Sequence, residues 1–243
     1  MLIDSYYDHV KAQLEKCHTS QREAVIKAGQ MMADHMEKGH MVHVHDTGHI
    51  INAEIIQRSG GLAAPQMLRY YLRTESWGRG RPEEKTKFMG MEGMAELVLR
   101  ASKILPGDLL IIGSVSGRSD QVVDLAITAK KYGCKVIAVT SLEYSSNVKS
   151  AHSSGLRLFE VADHVIDNCA PLGDGMMHIE GIEMPFGPAS GLSAAFLMWE
   201  VCAVCVDELM ARGITPSILK SSNTPGGDEY NLEMEHRVAK YGY

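Results

Sequence analysis

The 243-residue chain has no apolar run approaching the roughly 18–20 residues of a membrane span. Residues 1–16 lack a basic start followed by an apolar core, so no secretory leader is expected. Cysteine is scarce and odd in number: Cys17, Cys134, Cys169, Cys202 and Cys205. That pattern argues against a disulfide framework and for a reduced, cytoplasmic protein. Basic charge is in deficit, with 24 Lys and Arg against 30 Asp and Glu and a net charge of −6. A nucleic-acid partner, which needs a basic footprint, is therefore not expected, and neither is a membrane. There is no G-x-G-x-x-G and no G-x-x-x-x-G-K-[ST], so neither a dinucleotide nor a P-loop nucleotide is indicated, and no cofactor is expected. No internal repeat or low-complexity tract occurs. What remains is ordinary for a globular protein: 45% hydrophobic and 22% charged residues, in a chain long enough for one well-buried α/β domain with extra helices.

The richest stretch is residues 108–141. An apolar run, Leu109 to Ile112, enters a Gly/Ser loop at Gly113 to Ser119. An amphipathic helix follows, with Val122, Val123, Leu125, Ala126 and Ala129 on its apolar side, and Gly133 stops it. A second apolar run, Val136 to Val139, ends at Thr140 and Ser141. This is a strand–loop–helix–strand unit of the length of a βαβ crossover. Its loop sets three hydroxyls, Ser114, Ser116 and Ser119, at the start of a helix. Helix starts carry unpaired N–H groups and partial positive charge, so the loop suits a phosphate.

Around this unit the pattern predicts helices over residues 1–38, with a second helix over 20–37, and a short strand at 41–45. Asp46-Thr47-Gly48 reads as a turn, followed by a helix from His49 to about Arg58, with Pro65 closing that unit. Residues 69–87 read as a long excursion of mixed charge, and residues 91–103 as a helix. In the polar stretch after Ser141, Ser145 or Ser146 is expected to cap a short helix. A strand follows near 164–167, then a short hairpin over 176–184, a long apolar helix over 190–212 and a final short helix from Asp228. Strand–helix alternation gives a parallel sheet covered on both faces. One domain is expected over residues 1–243: N-terminal helices (1–38), an α/β core (39–212) and a C-terminal extension (213–243).

Ser114-Val115-Ser116-Gly117-Arg118-Ser119, then Ala129-Lys130 and Gly133, then Val136 to Thr140 resemble the SIS (sugar isomerase) domain family of phosphosugar-binding proteins. His45-Asp46-Thr47-Gly48-His49 looks like that family's first phosphosugar loop, and residues 161–166 like its later strand. The resemblance covers residues 35–212, and phosphoheptose isomerases are similar relatives. It implies a three-layer α/β/α sandwich with a five-stranded parallel sheet, a phosphorylated sugar bound at the carboxyl ends of the strands, and a homodimer or higher homo-oligomer. It implies that Ser114, Ser116 and Ser119 hold the phosphate, with Thr47 and Gly48 nearby and Ser141 completing the set. Ligands of open α/β sheets sit outside the carboxyl ends of strands, where these loops lie.

Aldose–ketose isomerisation needs a base for a carbon-bound proton and a partner for the oxygens. Glu54, in the helix after the first loop, is the first candidate base, and its position matches a glutamate of phosphoheptose isomerases. Those enzymes carry a histidine in the long C-terminal helix, where this chain has only Glu200. His49 and His152 are the candidate substitutes, with His178 behind them. A non-catalytic phosphosugar sensor and an ether-cleaving lyase are the rival functions.

Four other patterns stand out. Gly113-Ser114-Val115-Ser116-Gly117 also fits the G-x-S-x-G nucleophile elbow, with Asp163, Asp167, His178 and His236 downstream. His43-x-His45-Asp46 with His49 has partial zinc-ligand character, although no metal is expected. Cys202-x-x-Cys205, inside an apolar helix, reads as buried small residues. Arg69, Arg73, Arg79 and Arg81, with Glu75, suggest a lid over the site.

Overall fold

A computed structural model describes residues 1–47, 51–71 and 92–243. Five parallel strands form one sheet, in the order β2-β1-β3-β4-β5. They are β1 (Val42–Asp46), β2 (Pro65–Met67), β3 (Leu109–Gly113), β4 (Lys135–Thr140) and β5 (His164–Asp167). β1 pairs with β3 from Val42↔Leu109 to Asp46↔Gly113, so their carboxyl ends leave the sheet side by side. β3 is buried along its whole length, as expected of a central strand covered on both faces.

Alternation still divides the strands. Val44, Leu109, Ile111, Ile137 and Val139 enter one core, shared with α1 (Leu2–Glu37), α7 (Ser190–Ala211) and α8 (Gly227–Tyr241). Leu110, Ile112, Val136 and Ala138 enter the other, under α3 (Met94–Ala101) and α4 (Asp120–Tyr132). The result is the three-layer α/β/α sandwich expected from sequence. α2 (Asn52–Ile55), α5 (Leu142–Ser146) and α6 (Leu158–Val161) are short connectors. A separate antiparallel pair, β6 (Gly175–Met177) and β7 (Phe186–Pro188), precedes α7.

Several expectations are corrected. Residues 1–38 hold one 36-residue helix, not two. Thr19, at the expected break, returns its hydroxyl proton to the Glu15 carbonyl at 2.8 Å, a back-bond that lets threonine remain inside a helix. Of the helix expected over residues 49–58, the described residues hold only α2, Asn52–Ile55. Pro65, read as a terminator, opens β2, because an edge strand tolerates proline at its first position. The cap of α5 is Ser141, whose hydroxyl accepts from the Tyr144 N–H at 2.9 Å, whereas Ser145 and Ser146 lie inside the helix. The hairpin forms, but its second strand is β7, beyond the expected 176–184.

α1 and α7 approach closely at Gly29. A Cβ there would lie 2.6 Å from the Val204 side chain and 2.9 Å from the Val201 carbonyl. Alanine gains about 1 kcal/mol of helix propensity over glycine, against an overpacking cost of about 1–3 kcal/mol. Gly29→Ala is therefore expected to lose about 1 kcal/mol net, and Gly29→Leu about 3 kcal/mol or more. Urea midpoints at unchanged m-value check both.

All five cysteines are buried and free. Burial pushes the Cys202 thiol up to about 12, and Cys205 is raised for the same reason. Both pack as small apolar residues in the α1–α7 core. Among the described residues, no helix is long and apolar enough to cross a membrane.

Candidate functional site at the strand exits

The loop after β3 is anchored through one carbonyl. Val115 O accepts from the Ser141 N–H at 3.0 Å. It also takes a hydroxyl proton from Thr140 (3.0 Å) or Ser145 (3.3 Å), whose oxygens lie 2.8 Å apart. Each hydroxyl has one proton, so one donates to Val115 and the other to its neighbour. Ser114 N–H donates to Val139 O, and Thr47 N–H to Gly113 O. The exits of β1, β3 and β4 are thus stitched together by backbone. Gly117 makes the turn, at φ +54°, with Leu158, Thr140 and Ser145 crowding the space a Cβ would take.

This anchoring leaves three hydroxyls unspent. Ser119 is the N-cap of α4, yet its side chain caps nothing. Ser114, Ser116 and Ser119 make no side-chain hydrogen bond among the described residues. Ser141 differs: fully buried, it gives its proton to the Ala170 carbonyl at 2.6 Å while capping α5. Beside the serines, Arg118 is exposed, and its Nε donates to the Lys149 carbonyl at 2.7 Å. Thr47 stands exposed at the β1 exit. There the Asp46 carboxylate accepts from the Ile51 N–H at 2.5 Å. Gly48 and His49 lie outside the described residues.

The candidate acid–base groups sit on two flanks. Glu54, on α2, is half-exposed and lies 3.5 Å from Arg58. His152 sits on the loop tied to the serine loop by the bond from Ala151 N–H to the Arg118 carbonyl. Its Nδ1 lies 2.8 Å from Ser154 Oγ, and its Nε2 3.8 Å from Glu92. Glu92 also accepts from the Ser153 N–H and hydroxyl, at 2.6 Å each. Those bonds hold its carboxyl below the usual range. His178 lies apart, exposed in the β6–β7 connection. Glu200 is paired with His18 of α1 at 2.5 Å, so that carboxylate is spent between two helices.

The other patterns do not assemble among the described residues. Asp163 is held by Lys135, Lys130 and the Val136 N–H. Asp167 accepts from the Leu142 and Cys169 N–H groups. His236 is on α8, and no histidine bonds Ser116, so the nucleophile-elbow pattern lacks its base. His43 and His45 share a strand face, but His43 Nε2 is 3.0 Å from the Asp108 carboxylate and His45 Nδ1 is 3.0 Å from the Leu68 carbonyl. Burial lowers the His45 pKa and keeps that ring neutral, stacked on Tyr70. No three His, Cys, Asp or Glu side chains stand together as a metal site among the described residues. Arg73, Glu75, Arg79 and Arg81 lie outside the described residues.

Sequence reasoning missed the Thr140–Ser145–Val115 clip and the role of Asp46. It also missed two buried amides, Asn52 at the start of α2 and Asn168 at the exit of β5, whose Oδ1 and Nδ2 have no partner among the described residues. The signal for Asp46, Thr140 and Asn168 was the position of a polar residue at the end of an apolar strand run; Asn52 gave none.

Residues 5–141 match the SIS domain, which reaches back into α1 and ends at the α5 cap. The chain is similar to a UPF0309 protein of Halalkalibacterium halodurans, 33% identical over 99% of this chain and 100% of the relative. A UPF0309 protein of Streptomyces griseus is 32% identical over 95% of this chain and 92% of its own. Among solved structures, a phosphoheptose isomerase from Neisseria gonorrhoeae superposes with a TM-score of 0.52 at 13% identity, covering 86% of this chain and 97% of that one.

Proposed function

Because the chain belongs to the SIS domain family, we propose that it binds a phosphorylated sugar at the exits of β1, β3 and β4 and interconverts its aldose and ketose forms. The observation that carries the binding is the set of unspent hydroxyls of Ser114, Ser116 and Ser119 at the start of α4. Phosphate oxygens accept from hydroxyls and from the free N–H groups of a helix start. Arg118 adds a cation at the rim. Thr47 lies on the adjacent exit and meets the sugar, and Gly48, the next residue in sequence, is assigned to the same role. Ser141 shapes the pocket through its bonds to Ala170 and Tyr144 rather than touching the ligand.

In the isomerisation, the Glu54 carboxylate takes the proton from carbon 2 of the aldose. His152 or His49 protonates the carbonyl oxygen on carbon 1, giving an enediol. The proton returned to carbon 1 and the loss of the carbon-2 hydroxyl proton complete the ketose. The rival reading is a phosphosugar-binding protein without catalysis. It is favoured by one observation: α7 offers Glu200, already paired with His18, where related isomerases carry a histidine.

Solvent deuterium separates the two. With a bound sugar phosphate in D2O, the isomerase incorporates deuterium at carbon 2, detected by proton NMR, and Glu54→Gln lowers that rate at least 100-fold while binding is kept. Binding without any exchange establishes the sensor instead. A homo-oligomer remains part of the proposal, as the resemblance implies.

A further inference from the structure

A cavity of about 730 Å³ opens at the outer edge of β2, between the end of α3 and α8. Its size lies within the usual range for small-ligand sites. Met41, Met67, Leu68, Ile104, Leu219 and Leu232 supply its apolar walls. None of the strand-exit serines lines it. His43, where it borders β1, is the second residue of that strand, and Asp46 is the last. At His43 the cavity lies three residues, about 10 Å at about 3.3 Å each, before the end of β1, and at Met67 to Arg69 it follows the outer edge of β2, away from β3 and β4.

One buried polar group faces this space. His43 is 5% exposed, and its Nε2 is 3.0 Å from Asp108. A carboxylate only accepts, so the imidazole proton sits on Nε2 and the Nδ1 lone pair is left over. Nδ1 has no hydrogen-bond partner among the described residues. His43 lines the cavity, so that lone pair is available to a donor bound there.

The rim selects charge. Arg69 and Lys103 are exposed there and carry no ion pair among the described residues. Glu235 and His236 close the α8 side. Two cations against one carboxylate leave a local excess of one positive charge, in a chain whose net charge is −6. Arginine and lysine at a pocket mouth, above apolar walls, match a molecule with an anionic head and an apolar body.

We propose that the cavity at the β2 edge is a second ligand site, separate from the strand exits, for a small organic anion with an apolar body and a hydrogen-bond donor. Arg69 and Lys103 hold the anionic group, the methionine and leucine walls take the body, and His43 Nδ1 accepts the donor. The site does not depend on sugar-phosphate binding.

The test is a fluorescence titration of the full chain with 8-anilinonaphthalene-1-sulfonate, an aromatic monoanion bearing an N–H. The neutral N-phenyl-1-naphthylamine serves as the control. The sulfonate is expected to saturate at one cavity site per chain. Arg69→Gln with Lys103→Gln weakens it at least tenfold and leaves the neutral dye unchanged. Leu232→Trp, which fills the mouth from the protein surface, weakens both dyes at least tenfold. Ser116→Ala alters neither, which separates this site from the strand exits. Sulfonate affinity unchanged by the paired charge substitutions, dye signal that persists in Leu232→Trp, or the absence of saturable binding overturns the proposal.

Discussion

Replacing Gly117 by valine is expected to destabilise the chain by about 3 kcal/mol or more and to remove sugar-phosphate binding. Two costs coincide at this position. Its φ of +54° lies in the left-handed region, where a β-branched residue is a conformational outlier. Its missing Cβ would stand 3.1 Å from Leu158 Cβ, 3.1 Å from Thr140 Oγ1 and 3.2 Å from Ser145 Oγ. Those two hydroxyls are the clip that holds the Val115 carbonyl, so pushing them apart releases the serine loop. Gly117→Ala carries the backbone cost and the first contacts only, and about 1–3 kcal/mol is expected for it. Gly213→Ala is the control, because Gly213 has φ +74° and nothing within 4 Å of a Cβ. It carries backbone strain alone and keeps ligand binding. Equal losses at the two glycines in the alanine variants, with binding intact in both, would show that crowding at Gly117 has no role.

Asp108→Ala is expected to cost about 3 kcal/mol at pH 7, the loss of hydrogen bonds to one charged acceptor. The Asp108 carboxylate accepts from the Met41 N–H at 2.9 Å, the Leu105 N–H at 2.8 Å and His43 Nε2 at 3.0 Å. With the carboxylate gone, one buried donor, His43 Nε2, and two part-buried backbone donors lose their acceptor. The pH dependence has a defined sign. Burial raises the Asp108 pKa, and the bonds from His43, Leu105 and Met41 outweigh it, holding the carboxyl below the usual range. Its stabilisation is therefore full above the unfolded-state value of about 3.9. It fades as pH falls through the lower folded-state value. Urea midpoints between pH 7 and 2 check this, with Asp108→Ala showing a flatter acid limb than the native chain. A loss below about 1 kcal/mol at pH 7 would contradict the role assigned to this cluster.

The β3–loop–α4–β4 unit was legible because each boundary has a local physical cause. Gly133 takes the left-handed cap position of α4, at φ +100°. Val122, Leu125, Ala126 and Ala129 recur at helical spacing, and Thr140 and Ser141 end an apolar run. Elements that depend on partners distant in sequence were not legible. β2 is three residues long and opens on a proline, so it is defined by its pairing with β1. The strand β7 carries Gly187 and Pro188, and only its pairing with β6 makes it a strand. α1 continues through Thr19 and Ser20 because α7 and β5 pack along it.

The site divides in the same way. Ser114, Ser116 and Ser119 could be placed from the loop itself. The division of labour between them and Ser141 could not, because it rests on the Ala170 carbonyl, 29 residues away. Glu200 was legible as a polar residue in an apolar helix. Its partner His18 lies 182 residues away. The β2-edge cavity draws its lining from Met41 through Ala239, and no local pattern announces it.

The most direct test of the central claim is a calorimetric titration of the native chain and of Ser116→Ala. The titrants are hexose, heptose and amino-sugar phosphates, each beside its unphosphorylated parent. The account predicts that at least one phosphorylated sugar binds saturably, that its parent does not, and that Ser116→Ala weakens binding at least tenfold, about 1.4 kcal/mol. Parent and phosphate binding alike, or Ser116→Ala binding as the native chain does, would contradict it.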